Sequence, residues 1–195
     1  MRAPERVALE GRVVRLEPID ERHRDDLLTA GAEDPLTWRY MRDNLAEGPE
    51  AWPAYLADAL KPEFVTWATV EVATGRAVGS SRFGDISPGD GRVEIGWTWI
   101  APSRQRTALN TEAKLLQLRY AFDDLGATRV ALKTDGRNER SQRAIERLGA
   151  VREGVLRRHI RMPDGFIRDT VYYSILAEEW PAVRARLEER LQSST

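Results

Sequence analysis

Two hydrophobic periodicities alternate along the chain, and they predict its secondary structure. Between Phe64 and Ile100, apolar and polar residues largely alternate, and two turn signals, 73–76 and 87–92, divide this region into three strands. From Asn110 the apolar residues recur at helical spacing, and Gly126 stands where such a helix would end. The predicted strands are 9–17, 64–72, 76–86, 93–100, 128–134, 150–160 and 166–176, and the predicted helices are 21–31, 49–60, 110–125, 138–149 and 178–191.

The order of these elements predicts an α+β domain. The three strands between 64 and 100 form an antiparallel meander, and a β-α-β crossover over 93–134 adds a parallel pair at the centre. The chain shows no repeat, linker or low-complexity segment, so we expect one domain over residues 9–185. Residues 1–8 and 186–195 are expected to be terminal extensions.

Composition narrows the class of protein. Of 195 residues, 42% are hydrophobic and 31% are charged, which is typical of a globular domain rather than a disordered chain. A net charge of -1 argues against a nucleic-acid partner, and no apolar run is long enough for a membrane span. The N-terminus lacks the apolar core of a secretory signal, so the expected location is cytoplasmic.

Residue types exclude several chemistries. The chain has no cysteine and only two histidines, His23 and His159, so a thiolate nucleophile, a disulfide and a multi-histidine metal site are not expected. Only three of the 30 basic residues are lysines, and the other 27 are arginines. This excess reflects either a GC-rich coding sequence or the binding of anions, because arginine forks match phosphate oxygens.

The segment 100–112 joins a predicted strand to a predicted helix and is the most informative in the chain. A basic loop with Arg104 and Arg106 follows the strand, and Asn110 or Thr111 is placed to cap the helix. Free backbone amides at a helix N-terminus attract anions. From this pattern alone, the segment is either a cradle for a pyrophosphate or an ordinary capped helix with two solvated arginines.

The same residues resemble a known motif. Gln105 to Asn110 resemble the Q/R-x-x-G-x-G/A loop of the GNAT acyltransferase superfamily, with Ala108 and Asn110 in its glycine positions. Arg137 to Ser141 resemble the N-x-x-S element of that superfamily. Four further segments resemble the RimJ/RimL-type branch, which acetylates protein N-termini or small amines: 110–114, 147–151, 153–157 and 173–176.

The resemblance implies a fold and an acyl donor. The fold would be that of the acyl-CoA N-acyltransferases, with three α/β/α layers around a mixed sheet that splays at its centre. Acetyl-CoA would be the donor, with its pyrophosphate on the loop and its pantetheine arm between the strand 93–100 and the strand 128–134. No metal is expected. The residues that the resemblance assigns to acetyl-CoA are Trp99, Ile100, Ala101, Gln105, Arg106, Thr107, Ala108, Leu109, Asn110, Thr111, Asn138 and Ser141.

The resemblance also implies that an amine attacks the thioester directly in a ternary complex, so no protein nucleophile is needed. Glu94 is the candidate base, or else a solvent-facing strand residue. Ser141 and Tyr173 are candidate acids, or else a helix-surface hydroxyl and a core aromatic. The candidate walls of the acceptor site, each of a type found more often in a core, are Trp38, Tyr40, Trp97 and Tyr172.

Two classes of function remain open. The first is an N-acetyltransferase that moves the acetyl group of acetyl-CoA to a primary amine, on a protein N-terminus or a small molecule. The second is a non-catalytic module on the same fold that senses acyl-CoA or binds a protein. The enzyme would have acetyl-CoA and an amine acceptor as partners, without nucleic acid or membrane. A homodimer could form through the C-terminal hairpin and the aromatic N-terminal region.

Overall fold

The computed structural model describes residues 1–193, and its strands form one mixed sheet. The strands are β1 (Leu9–Glu10), β2 (Val14–Pro18), β3 (Val65–Glu71), β4 (Ala77–Ser87), β5 (Arg92–Ile100), β6 (Arg129–Asp135), β7 (Val151–Arg161) and β8 (Ile167–Leu176). Their spatial order is β1-β2-β3-β4-β5-β6-β8-β7, and every neighbouring pair is antiparallel except β5 and β6. The expected meander and central parallel pair are therefore confirmed.

The helices also follow the predicted order. They are α1 (Arg24–Gly31), α2 (Trp52–Ala59), α3 (Ala108–Arg119), α4 (Glu139–Leu148) and α5 (Trp180–Gln192). A π-helical turn, Tyr120–Asp124, continues α3 as far as Gly126, which has a φ of 74°. Gly149 closes α4 in the left-handed conformation, as its position in the sequence predicts.

Helices cover both faces of the sheet. On β5, Thr98 and Trp99 point to opposite faces, as neighbours on a strand do. Thr98 Oγ1 accepts a hydrogen bond from Lys114 Nζ of α3, whereas Trp99 Nε1 donates to Tyr55 Oη of α2. Since α1 packs on the α2 side and α5 packs against α3, the structure has the expected three layers.

The sheet opens at its centre. The strands β5 and β6 pair only where Arg92, Val93 and Glu94 lie beside Arg129, Val130 and Ala131. Beyond that point no pairing joins them within residues 1–193, and the backbone groups of the diverging segments face each other across a gap. The central splay that the resemblance implied is therefore present.

The strand expected at 9–17 is divided into β1 and β2. Glu112, a buried carboxylate on α3, accepts hydrogen bonds from the amides of Arg12, Val13 and Val14 at 3.0, 2.7 and 2.9 Å. These amides cannot also serve a sheet ladder, so the strand is interrupted. A Cβ on Gly11 would lie 2.6 Å from Glu112 Oε2, so only glycine leaves space for this carboxylate.

The two ends of the chain are packed more firmly than the sequence indicated. Trp67 Nε1 donates to Val7 O at 2.7 Å, and Arg2 N donates to Leu125 O at 2.8 Å, so residues 1–8 lie against the domain. At the other end, α5 continues past residue 185 to Gln192, with Leu187 buried. The helix α5 therefore crosses the position 185 at which the sequence places the end of the domain. Residues 194 and 195 of the expected extension lie outside the described residues.

Within residues 1–193, no helix has the length and apolar character that a membrane crossing requires.

Candidate functional site

A cleft of about 1180 Å³ occupies the gap where β5 and β6 diverge. The β5–α3 loop (residues 101–107) and the start of α3 form one end of it, which we call the loop end. Glu94, Lys133 and Trp97 lie at the other, which we call the Glu94 end. The sequence-predicted residues that line the cleft are Tyr40, Glu94, Trp97, Trp99, Ile100, Gln105, Arg106, Thr107, Ala108, Asn110, Thr111, Asn138 and Ser141.

The start of α3 differs from the sequence prediction. The helix begins at Ala108, and its N-cap is Thr107, whose Oγ1 accepts a hydrogen bond from Leu109 N at 3.3 Å. Asn110 and Thr111 therefore lie inside the first turn and do not cap the helix. The amides of Ala108 and Asn110 belong to the first turn, where an α-helix offers no internal acceptor. They are available to an anion at the loop end of the cleft.

The two positions that carry glycine in the related motif are not strained. Ala108 and Asn110 have helical backbone, and the residue with a positive φ is Arg106, at 62°. The substitution of both glycines therefore leaves the turn intact. Asn110 also has a buried Oδ1 without a hydrogen-bond partner among the described side chains and backbone. Asn110 itself lines the cleft, so a side chain with an unused acceptor lies beside the candidate ligand site.

Arginines give the loop end a positive charge, although not the pair that the sequence suggested. Arg104 lies outside the cleft lining, with its Nε 3.0 Å from Glu71 Oε1. Arg106 does line the cleft, and Arg140 of α4 reaches across it to donate to Gln105 Oε1 at 2.9 Å. The loop end thus combines free amides with guanidinium groups, which is a suitable environment for a pyrophosphate.

Glu94 is a buried carboxylate at the far end of the cleft. It is 2% exposed, so it is not the solvent-facing strand residue of the alternative interpretation. Its Oε2 lies 2.8 Å from Lys133 Nζ of β6. Burial raises the pKa of Glu94 above its usual value, and the nearby ammonium of Lys133 only partly opposes this shift.

Gly96 makes room for the Glu94 carboxylate. A Cβ on Gly96 would lie 2.8 Å from Glu94 Oε1, and the three atoms nearest to it all belong to Glu94. One residue further along, Trp97 has a φ of 51° and breaks the regular register between β4 and β5. The indole ring of Trp97 packs on Phe64 at 4.8 Å and lies 5.9 Å from Lys133 Nζ. The local backbone therefore directs both Glu94 and Trp97 into the cleft.

Asn138 and Ser141 lie together at the start of α4, beside the cleft. Asn138 Oδ1 accepts from Ser141 N at 3.1 Å, so the side chain of Asn138 is the N-cap of α4. This cap uses the oxygen of the amide and leaves its NH₂ group for the cleft. Asn138 can therefore cap α4 and still donate a hydrogen bond to a ligand in the cleft.

Several predicted residues lie outside the cleft lining. Tyr173 is fully buried beneath α4, and its hydroxyl donates to Glu146 Oε1 at 3.2 Å. Burial and the neighbouring Glu146 raise the pKa of Tyr173. Because it faces α4 rather than the cleft, Tyr173 is not placed to act as an acid there. Ala101 and Leu109 are also buried behind the lining.

Two predicted wall residues support the cleft from behind. Trp38 is buried, donates from Nε1 to Gly31 O at 2.9 Å and packs on Trp99 at 4.8 Å. Tyr172 lies next to Lys133, with 5.9 Å from Nζ to its ring centroid. Neither residue lines the cleft itself. The walls predicted at Tyr40 and Trp97 do line it.

The sequence interpretation missed two lysines in the cleft lining, Lys133 and Lys114. Lys114 is 4% exposed, and its Nζ donates to Ser81 Oγ, Thr98 Oγ1 and Gln117 Oε1 at 2.8, 2.7 and 2.8 Å. Burial lowers the pKa of Lys114 to about 7. A lysine within an otherwise apolar strand or helix stripe is the signal that could have identified both residues.

Comparison with known proteins agrees with this geometry. Residues 14–151 match the family described as Acetyltransferase (GNAT) domain. The structure of a GCN5-related N-acetyltransferase from Brucella melitensis has a TM-score of 0.92, with 32% identity over 97% of this chain and 87% of that chain. The structure of a "putative acetyltransferase" from T. thermophilus has a TM-score of 0.89, with 44% identity over 98% and 100% of the two chains.

A curated relative points to the same group. The Bacillus subtilis (strain 168) protein "Putative ribosomal N-acetyltransferase YdaF" is 37% identical over 89 residues, which are 46% of this chain and 48% of that protein. The alignment therefore spans about half the length of this relative. The chain belongs to the GNAT acetyltransferase domain family. Its fold is the one that the resemblance implied, and the relative named for ribosomal acetylation agrees with the RimJ/RimL-type branch.

Proposed function

We propose that this protein is an N-acetyltransferase that transfers the acetyl group of acetyl-CoA directly to a primary amine in a ternary complex. The observation that carries the proposal is the continuity of the cleft. It joins a positively charged helix N-terminus at one end to the buried Glu94–Lys133 pair at the other, through the opened sheet. A donor and an acceptor can therefore meet inside one cavity.

The loop end fits the donor. The first-turn amides of α3 and the guanidinium of Arg106 would hold the pyrophosphate, while Arg140 lies across the same end. The unpaired backbone of β5 beyond Glu94 would bond the amides of the pantetheine arm as an added strand does. Asn110, in the first turn of α3, lines the same end of the cleft. Bound acetyl-CoA supplies the activated thioester.

Glu94 is the proposed general base. Its carboxylate accepts the proton that the amine loses as the nitrogen bonds to the acetyl carbon and the carbon–sulfur bond breaks. An α-amine, with a pKa near ~8, is about one-tenth free at pH 7, whereas a lysine-like amine near ~10.4 is free in about one molecule per thousand. A single carboxylate without a stronger base therefore favours α-amines or small amines of modest pKa.

Ser141 is the proposed proton donor to the leaving thiolate. Its hydroxyl lines the cleft at the start of α4, and water can replace the proton that it gives. Tyr173 has no part in the proposal, because its hydroxyl is enclosed beneath α4. The cytoplasmic location and the homodimer expected from the sequence stay predictions.

The test is a thiol-release assay with acetyl-CoA and a panel of peptides and small amines. We expect turnover with at least one α-amine, and Glu94→Gln should lower kcat about 100-fold while acetyl-CoA binding, measured by calorimetry, is kept. Binding of acetyl-CoA without release of thiol by any amine would instead support the non-catalytic sensor. A Glu94→Gln variant with full activity would remove Glu94 from the mechanism.

A further inference from the structure

Two acidic groups at the Glu94 end already have cationic partners. Glu94 pairs with Lys133 at 2.8 Å. Asp135, which is 1% exposed, accepts from Arg137 N at 2.9 Å and from its guanidinium at 2.9 and 2.7 Å. Arg137 is held in place as well, because its guanidinium lies 3.6 Å from the ring centroid of Phe166. In each of these pairs the two charges neutralise each other.

Two further arginines line the same end without a carboxylate partner. Arg168 of β8 is half-buried, and its Nε donates to Thr170 Oγ1 at 3.2 Å. Arg42, an exposed residue in the segment between α1 and α2, also belongs to the lining. In the part of the chain that the structure describes, neither guanidinium forms an ion pair with an acidic residue.

The electrostatic environment of Arg168 is unfavourable as it stands. Burial lowers the pKa of Arg168, and the positive charge of Arg42 acts in the same direction. The carboxylates of Asp135 and Glu94 oppose this shift from a distance, but both are bonded elsewhere. A partly desolvated guanidinium without an ion-pair partner is stabilised when an anion binds to it.

We propose that Arg168, with Arg42, binds a carboxylate that the acceptor itself carries. This inference rests on the proposed acetyl transfer, and it defines the substrate class as amines that bear an acidic group at some distance from the amine. The planar fork of arginine matches a carboxylate in two parallel hydrogen bonds. Lysine would offer only a point charge.

The strand geometry sets the spacing between the two groups. Tyr172, beside Lys133, and Arg168 lie on one face of β8, four residues apart. Their backbone positions are separated by about 13 Å, since a strand rises ~3.3 Å per residue. From that position the Arg168 side chain brings its charge close enough to act on Glu94. A peptide with an acidic residue near its free N-terminus, or a short dipeptide with its C-terminal carboxylate, carries both an amine for Glu94 and a carboxylate for Arg168.

Matched acceptors test the proposal. One pair consists of the peptides Ala-Asp-Ala amide and Ala-Asn-Ala amide, and the other consists of the dipeptide Ala-Ala and its C-terminal amide. We expect the wild-type kcat/KM to be about tenfold higher for the acidic member of at least one pair. The pair that shows the preference identifies the source of the carboxylate. Arg168→Gln should remove the preference by lowering the value for the acidic member alone.

Controls separate this proposal from acetyl transfer itself. Arg157→Gln changes an exposed arginine of β7 outside the cleft lining, and it should keep the preference. Calorimetry with the same acceptors gives a readout that needs no turnover. A binding preference that disappears in Arg168→Gln supports the carboxylate site even if no acceptor is acetylated, an outcome that would count against the proposed function. Equal binding and equal turnover of both members of each pair would overturn the proposal.

Discussion

Glu94 Oε2 and Lys133 Nζ are 2.8 Å apart at the end of the cleft, and they belong to the two strands that diverge to form it. The carboxylate is almost wholly buried, and Lys133 is the cation that holds it. A base enclosed in this way is protected from water, and its protonation depends on its burial and, among its neighbours, mainly on Lys133.

Replacement of Lys133 by methionine should move the acid limb of the pH–rate profile to higher pH. Burial raises the pKa of Glu94 and Lys133 lowers it, so the loss of Lys133 removes the main opposition to the raising effect. A base must be ionised to act, so the variant should lose more activity at pH 6 than at pH 8. Measurement of kcat/KM across this range checks the shift. Lys133→Arg keeps the charge and should keep the limb near its wild-type position.

Gly96→Ala should disturb Glu94 without unfolding the protein. The added methyl group would lie 2.8 Å from Glu94 Oε1, which forces the carboxylate to move. Because catalysis depends on the position of the base, we expect kcat to fall about tenfold or more. The matched control is Gly89→Ala, at a turn where a Cβ meets nothing within 4 Å. A Gly96→Ala variant with wild-type kcat would show that Glu94 tolerates displacement.

Arg106→Gly should make the protein more stable but weaken its binding of acetyl-CoA. Arg106 has a φ of 62°, which costs a non-glycine residue about 1 kcal/mol. Glycine removes this strain but also removes a positive charge at the loop end. We therefore expect the free energy of unfolding to rise by about 0.5 kcal/mol or more in urea titrations. The Kd for acetyl-CoA should increase several-fold, with weaker salt dependence. Arg106→Lys, which keeps the charge, should bind acetyl-CoA more tightly than Arg106→Gly does.

Because of Lys114, the free energy of unfolding should change with pH in the alkaline range. Burial lowers the pKa of Lys114 from 10.5 to about 7 in the folded protein, so between these values the unfolded chain binds more protons. The folded state is therefore favoured as pH rises through this window. Between pH 7 and pH 9 the free energy of unfolding should rise by about 2 kcal/mol relative to Lys114→Met. Parallel slopes for the two proteins would mean that Lys114 titrates normally.

Ser141→Ala and Tyr173→Phe should differ in effect. Ser141 lines the cleft, so loss of its hydroxyl should lower kcat by about tenfold or more with little change in KM for acetyl-CoA. Tyr173 bonds Glu146 beneath α4, so Tyr173→Phe should leave kcat nearly unchanged and reduce stability by about 1 kcal/mol. Steady-state kinetics and thermal unfolding of both variants distinguish the roles. A larger kcat loss in Tyr173→Phe would reverse the assignment.

The elements and their order were accessible from the sequence, because alternation, helical spacing and turn residues are properties of short segments. The same holds for the family, since Gln105 to Asn110 and Asn138 to Ser141 carry their pattern within a few positions. The prediction of Glu94 as the candidate base also depended on a local feature, namely its place in the strand that leads to the β5–α3 loop. Its burial, however, was not apparent, because alternation along one strand does not show what covers each face.

Tertiary structure decided which charged side chains lie next to each other. Lys133 lies opposite Glu94 only because β5 and β6 run in parallel at the centre of the sheet, and Glu112 interrupts the first strand only because α3 packs beneath it. Tyr172 and Tyr173 are neighbours in sequence, yet one faces Lys133 and the other faces α4. The sequence alone determined the segments and the family. The partners of Glu94, Lys114, Arg168 and Tyr173 depended on packing between distant segments, because the energy of a charge is set by what surrounds it.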